Sequence, residues 1–482
     1  MSLHAQLSPE AEARLRAQKR NSTISSIVIS ILVIVLCGLI LAFIALKGMF
    51  FESPTIVAYS SSIEDEQELE ERRINDQVQR KPSAPSSSMA KVIAASTVSP
   101  TAVPVPEFAV PEPSVEFGSG DDFGAGWGSG GDGGGGGFGN IPAAMRKRCT
   151  KEDRLARLSA NGGNEKCEDA VVEALRFLQK TQNKDGSWDE KHKVAMTGLV
   201  LLAYLGHCET PLSEEFGLTV TAAITFLVDV AVKNKGKLAT NYRDRHWCYE
   251  HAIATYAISE ALTFCTMLGV HIPNLQEATQ DAVQWIINNQ HKSGGWDYGY
   301  SEDSARGGDL SIAAWQMQAL KAGHTTGLEL KNYRSCITAG LKYVRERQGS
   351  NGAFAYTGNN GRISLTGAGV LCIQQHKGAA DSDARKGVKF LEENSKFDYT
   401  KGPANLYEHY YSAQAMINAG GKAWRNYNKL FRDNLLDAQL EDGSWPPPAG
   451  KLHVETATYR TALCTLMLEV YYRFLPGTGQ KS

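Results

Sequence analysis

The chain has almost no net charge, −2 from 50 Lys and Arg against 52 Asp and Glu, and it has no long basic run. Recognition of nucleic acid begins with a basic stripe or patch that neutralises phosphates, so no nucleic-acid partner is expected. Strand signals are nearly absent, which excludes a sheet-based fold. Also missing is a small-x-small cleavage site after the first apolar run, where Lys47 and the bulky Met49, Phe50 and Phe51 stand instead. A cleaved secretory leader is therefore not the expected reading of that run.

The run itself, "ISSIVISILVIVLCGLILAFIAL" at residues 24–46, carries no charge. A helix of about 20 apolar residues crosses the hydrocarbon core of a bilayer, so the stretch is long enough to be a single membrane anchor. Arg14, Arg16, Lys19 and Arg20 precede it, and the acidic "EDEQELEE" follows it. The excess of Lys and Arg on the N-terminal side places that side in the cytoplasm and the bulk of the chain across the membrane. The expected organisation is a cytoplasmic segment at 1–23, a transmembrane signal anchor at 24–50, an acidic linker at 51–140 and a folded domain at 141–482. The linker is rich first in Pro and then in Gly, a composition that cannot bury enough apolar surface to order itself. Fully stretched it would reach on the order of 300 Å. Phe123, Trp127 and Phe138 punctuate its glycines.

Within the folded domain, apolar helical segments recur in pairs with a period of roughly 45–60 residues, a spacing typical of helical repeats. In "AVVEALRFLQKTQ", Val171, Leu175 and Leu178 share one face while Glu173, Arg176 and Lys180 take the other, as an amphipathic surface helix requires. Its partner "VAMTGLVLLAYLG" is apolar nearly all round, which marks a buried helix. Five similar pairs follow. Six hairpins with outer amphipathic and inner buried members predict an all-α (α/α)6 toroid.

A short pattern marks four of the outer-helix ends: "QNKDGSW" at Gln182, "QHKSGGW" at Gln290, "QGSNGAF" at Gln348 and "QLEDGSW" at Gln439. Gly after Asp, Gly or Asn ends a helix, and the aromatic lands just beyond the turn. None of these residues is a nucleophile or a proton carrier at neutral pH, so the pattern reads as a structural staple. Tandem helical hairpins carrying such turns resemble the squalene/hopene cyclase and protein prenyltransferase β-subunit superfamily, over residues 167–475. The resemblance implies a terpenoid cyclase-like toroid. It does not bring the chemistry with it. Hopene-type cyclases protonate an alkene with an Asp-x-Asp-Asp motif, which is absent. Prenyltransferases hold zinc with Asp-x-Cys before Trp-Gln and a later His. Asp309 and Trp315-Gln316 match, but Ser311 stands at the Cys position, and the later His would have to be His409. A neutral hydroxyl is a poor zinc ligand, so no metal and no cofactor are expected. The related thioester domains of complement-type proteins carry Gly-Cys-Gly-Glu-Gln, which is also absent.

Aligning the inner helices on their small-residue stretches sets Thr197, His251, Ala313, Thr366, His409 and Tyr459 level. Tyr-Glu-His occurs twice, at Tyr249-Glu250-His251 and Tyr407-Glu408-His409, in opposite hairpins of a ring of six. Asp309, His251, His409 and Tyr459 are therefore the catalytic candidates, suited to acid–base work. Glu250, Glu408 and Trp315 are the ligand-binding candidates. All are expected at one mouth of the ring, where His251 and His409 would be dispensable for folding. The same residues also admit a purely structural reading: Asp309 as a helix N-cap, the His and Tyr side chains as mutually satisfied core groups. Cys149 and Cys167, which flank the start of the domain, are candidates to pair in an oxidising space. The function expected is a single-pass membrane protein whose extracytoplasmic toroid binds an apolar small molecule, a glycan or an envelope protein. A diverged isoprenoid-processing enzyme and a polysaccharide lyase or hydrolase are the alternatives, and the sequence leaves open whether it is an enzyme at all.

Overall fold

A computed structural model describes residues 148–450 and 456–473. The expected anchor, its cytoplasmic flank and the linker lie outside the described residues. Among the described residues no helix is long and apolar enough to cross a membrane. Those residues form 13 α-helices and no strand, only isolated bridges that join Phe354 to Gln348 and Arg362.

Helix α1 (Lys151–Ala160) leads in. Six hairpins follow, each an outer helix and then an inner one: α2 (Glu165–Lys180) and α3 (Lys193–Gly206), α4 (Gly217–Lys233) and α5 (Trp247–Leu268), α6 (Leu275–Asn288) and α7 (Leu310–Thr325), α8 (Tyr333–Arg345) and α9 (Ile363–Lys377), α10 (Ser382–Asn394) and α11 (Leu406–Ala419), α12 (Gly421–Ala438) and α13 (Ala457–Leu468). The inner helices touch in cyclic order, and α13 returns to α3 and to α2, closing the ring. The division into layers follows from composition. On α2 the buried residues Ala170, Val171, Ala174, Leu175 and Leu178 recur at three- and four-residue intervals, whereas α3 buries every residue from Val194 to Gly206. Each fully buried Leu or Val contributes about 1.5–3 kcal/mol by leaving water, and the inner ring concentrates that gain.

The four Gln-x3-Gly-x-aromatic turns join neighbouring hairpins. Gln182 Nε2 donates to the carbonyls of Gly186 in its own turn and Thr219 on α4. Gln290 does the same to Gly294 and Cys336, Gln348 to Gly352 and Asp383, and Gln439 to Gly443 and Ala170. The last of these ties the sixth hairpin to the first. The indoles of Trp188, Trp296 and Trp445 donate back to carbonyls near the end of their own outer helix. The glycine is compelled twice over. At Gly443 φ is +87°, and an added Cβ would lie 2.2 Å from the carbonyl oxygen of Glu173 on α2.

Two hairpins lack this motif, and they are the two that carry Tyr-Glu-His. In the second, the Leu238 amide donates to His251 Nδ1 at 3.0 Å, which leaves Nε2 to donate to the Ala282 carbonyl of α6 at 3.2 Å. In the fifth, His409 Nε2 lies 3.1 Å from the Lys396 carbonyl and Nδ1 2.6 Å from the hydroxyl of Tyr427 on α12. Each imidazole thus links its own turn to the next outer helix, the task Gln performs elsewhere.

The start of the described chain is fastened to the far end of the ring. Cys149 is disulfide-bonded to Cys208, just past α3, and not to Cys167. Cys167 is a free thiol on the buried face of α2, in phase with Ala170, Val171 and Ala174, so packing claims it. Arg148 is fully buried, 3.2 Å from Glu260 of α5 and over the Phe264 ring. Arg473 reaches the same carboxylate at 3.4 Å and donates to the Tyr256 hydroxyl.

Candidate functional site

At the N-terminal ends of the inner helices the ring opens into a cavity of about 630 Å³. Met196, Leu199, Ile253 and Leu463 give it an apolar floor. Its wall is aromatic: Tyr249 from α5, Trp315 from α7, Tyr407 from α11 and Tyr459 from α13, with Tyr298 and Tyr356 from the preceding turns. Volume and lining are those of a small-molecule pocket, mostly apolar with a few placed polar groups.

The His and carboxylate groups gather in one cluster. His192, held in the left-handed region just before α3, places Nδ1 3.2 Å from Glu250 Oε1. Its Nε2 lies 3.9 Å from Asp244 Oδ2. Asp244 in turn accepts from the His246 amide and sits 2.7 Å from His246 Nδ1. The two carboxylates are tuned in opposite directions. Burial raises the Glu250 pKa, with partial compensation from His192 and from the Val194 amide at the start of α3. The backbone and ring of His246 lower that of Asp244.

A second polar path leads down from the wall. The Tyr249 hydroxyl lies 2.7 Å from Ser311 Oγ, which donates to Asp309 Oδ1 at 2.5 Å, while the Tyr407 hydroxyl donates to the Ser311 carbonyl. Asp309 caps α7 by accepting from the Ser311 amide. Burial raises its pKa.

Of the residues singled out from the sequence, Glu250, Trp315 and Tyr459 line the cavity. Asp309 reaches it through Ser311. His251 and His409 are fully enclosed in the hairpin joints, where burial drives their pKa values down to about 3 and about 4. Glu408 is buried beside His409, and desolvation raises its pKa to about 7. The reason is rotation. Successive residues on an α-helix turn by about 100°, so the first and third members of a Tyr-Glu-His triplet point nearly opposite ways. Tyr249 and Tyr407 face the cavity, and their histidines face outward. The lining residues His192, Asp244, Tyr298 and Tyr356 come from turns, where no helical periodicity could have announced them. Among the described residues there is no cluster of three or more His, Cys, Asp or Glu able to hold a metal ion.

No protein-family model matches the chain, and no curated protein matches it. Solved structures similar to it include an alpha-1,6-mannanase from Salegentibacter sp., at 9% identity over 63% of this chain and 98% of that one, with a TM-score of 0.47. The type II terpene cyclase MstE from Scytonema is similar at 14% identity over 64% of this chain and 98% of that one, with a TM-score of 0.43. Both are helical toroids. At such distances the likeness carries nothing about the site, whose reading rests on its own geometry.

Proposed function

We propose that the toroid is a ligand-binding module that takes an amphipathic small molecule into the mouth of its inner ring, on a chain anchored to a membrane by residues 24–46. One observation carries the reading: a cavity of about 630 Å³ with an apolar floor, an aromatic wall and its His and carboxylate groups gathered in one cluster. Such a cavity buries the apolar body of a ligand and orients its polar end toward His192, Asp244 and Glu250. The Cys149–Cys208 bond supports an extracytoplasmic position for the domain, since structural disulfides persist in oxidising compartments. Among the described residues, the six cysteines outside this bond are all buried.

Binding of the neutral, apolar fluorophore N-phenyl-1-naphthylamine tests this. Saturable binding at one site is expected, and Ala195→Phe, which fills the cavity from α3, should abolish it while leaving the unfolding temperature within a few degrees. Unsaturable binding, or binding indifferent to that substitution, would refute the reading.

A second reading, glycan hydrolysis, draws on one feature: Glu250 and Asp244 face one cavity with pKa values pushed apart, the pattern of an acid and a base built from two carboxyl groups. Release of reducing ends from an oligosaccharide panel, lost in Glu250→Gln, would favour it over binding alone.

A further inference from the structure

Charge and aromaticity at the mouth are unevenly matched. Apart from the histidines, the described charged residues lining the cavity are Glu250, Asp244 and Lys191. Lys191 is exposed at the rim, whereas Glu250 is 2% exposed. Among the described residues no Lys or Arg side chain forms an ion pair with Glu250: Oε1 has the His192 ring, and Oε2 is buried without a side-chain partner. Among the described residues, the side chains within ion-pairing reach of Asp244 are the imidazoles of His192 and His246. The rings of Tyr249, Tyr356, Tyr407, Tyr459 and Trp315 line the same cavity as these carboxylates. An aromatic face is negative, and a ring of such faces attracts a cation that is too greasy to be held well by water. The protein already uses this attraction nearby, where Arg245 and Arg306 both lie over the Tyr298 ring, at 5.0 and 4.9 Å.

We infer that the ligand carries an alkylated ammonium group, seated among the tyrosines with Glu250 as its counter-charge. This rests on the mouth being a ligand site and specifies what that site selects. The apolar floor takes the alkyl substituents, for which a bare metal ion or a hydrated ammonium has no use. A neutral sugar would satisfy the aromatic wall but would leave two carboxylates facing a ligand without charge.

Choline and its neutral isostere 3,3-dimethylbutan-1-ol differ only in the charge-bearing atom, and titration of the chain with each by calorimetry separates the two ideas. Choline should bind at least roughly tenfold more tightly. Glu250→Gln should remove that preference without weakening the alcohol. Tyr356→Leu, at a position 37% exposed where folding is not at stake, should weaken choline several-fold. Equal affinities for the two probes would overturn the inference while leaving the mouth as a neutral-ligand site. Absence of choline binding in a protein that still takes up the naphthylamine probe would overturn it as well, and absence of both would remove the mouth reading too. Phosphatidylcholine vesicles supply the same headgroup from another source. Vesicle retention that free choline competes away assigns a lipid, and choline binding without retention assigns a soluble amine.

Discussion

Replacing His251 by Ala should unsettle the whole ring. The substitution leaves the Leu238 amide and the Ala282 carbonyl, both now bonded to the imidazole, without partners in a place water does not reach. Each such group costs roughly 1–3 kcal/mol, and the space vacated by the ring adds to that, for a total of about 3–5 kcal/mol. The assay is urea unfolding, read as a fall in midpoint at unchanged slope. His251→Gln should recover more than half of the loss, because an amide can donate to the Ala282 carbonyl and accept from the Leu238 amide. The pH dependence supplies an independent check. Burial holds the folded-state pKa at about 3, below the ordinary value near 6.5 that applies in the unfolded chain. The unfolded chain therefore gains a proton as pH falls through 6.5 while the folded one does not, and stability drops by about 2 kcal/mol between pH 6.5 and pH 5. The Gln variant lacks this term, so the gap between it and the wild type should shrink by that amount at pH 5. If His251→Ala costs less than about 1 kcal/mol, or if the gap is the same at pH 5 and pH 7, the imidazole is not the staple described.

Two further substitutions probe the same framework. Gly443→Ala should cost about 3 kcal/mol or more, since it adds a collision with Glu173 of the first hairpin to an unfavourable φ. Gly269→Ala, at φ +69° with nothing within 4 Å of an added Cβ, should cost only about 1–2 kcal/mol. Equal losses by chemical denaturation would mean that close approach plays no part. Glu408→Gln should stabilise the domain at neutral and alkaline pH. With its folded pKa raised to about 7, the wild-type carboxyl contributes fully below about pH 4.5, and that contribution is lost as pH rises toward 7. Thermal unfolding at pH 4.5 and pH 8 should show the variant level with the wild type at the first and above it at the second.

Much of the framework was legible because periodicity encodes burial. The three- and four-residue spacing of Val171, Ala174, Leu175 and Leu178, set against the unbroken apolar run of α3, distinguishes outer from inner helices before any coordinate is known. The Gln-x3-Gly-x-Trp turns set the phase of the repeat. The candidate site was legible only in part. Placing Tyr249-Glu250-His251 at the right end of α5 was a matter of counting, but which member faces the cavity depends on helix rotation. The first member faces it where the third was expected to. His192 and Asp244 were out of reach, because turn residues follow no period and their meeting with Glu250 depends on how two hairpins pack. Cys208 was missed for a similar reason. Nearness in sequence favoured Cys167, whereas the end of α3 is what comes close to Cys149 in space.

The Cys149–Cys208 bond also decides how the domain bears load. Any tension arriving through the chain before Arg148 meets a covalent cross-link to the end of α3 before it reaches the first helix. Arg148 grips Glu260 of α5 at the same point, so two inner helices share the pull and α1 beyond them stays slack. The arrangement works as a strain relief, like the collar where a cable enters its housing.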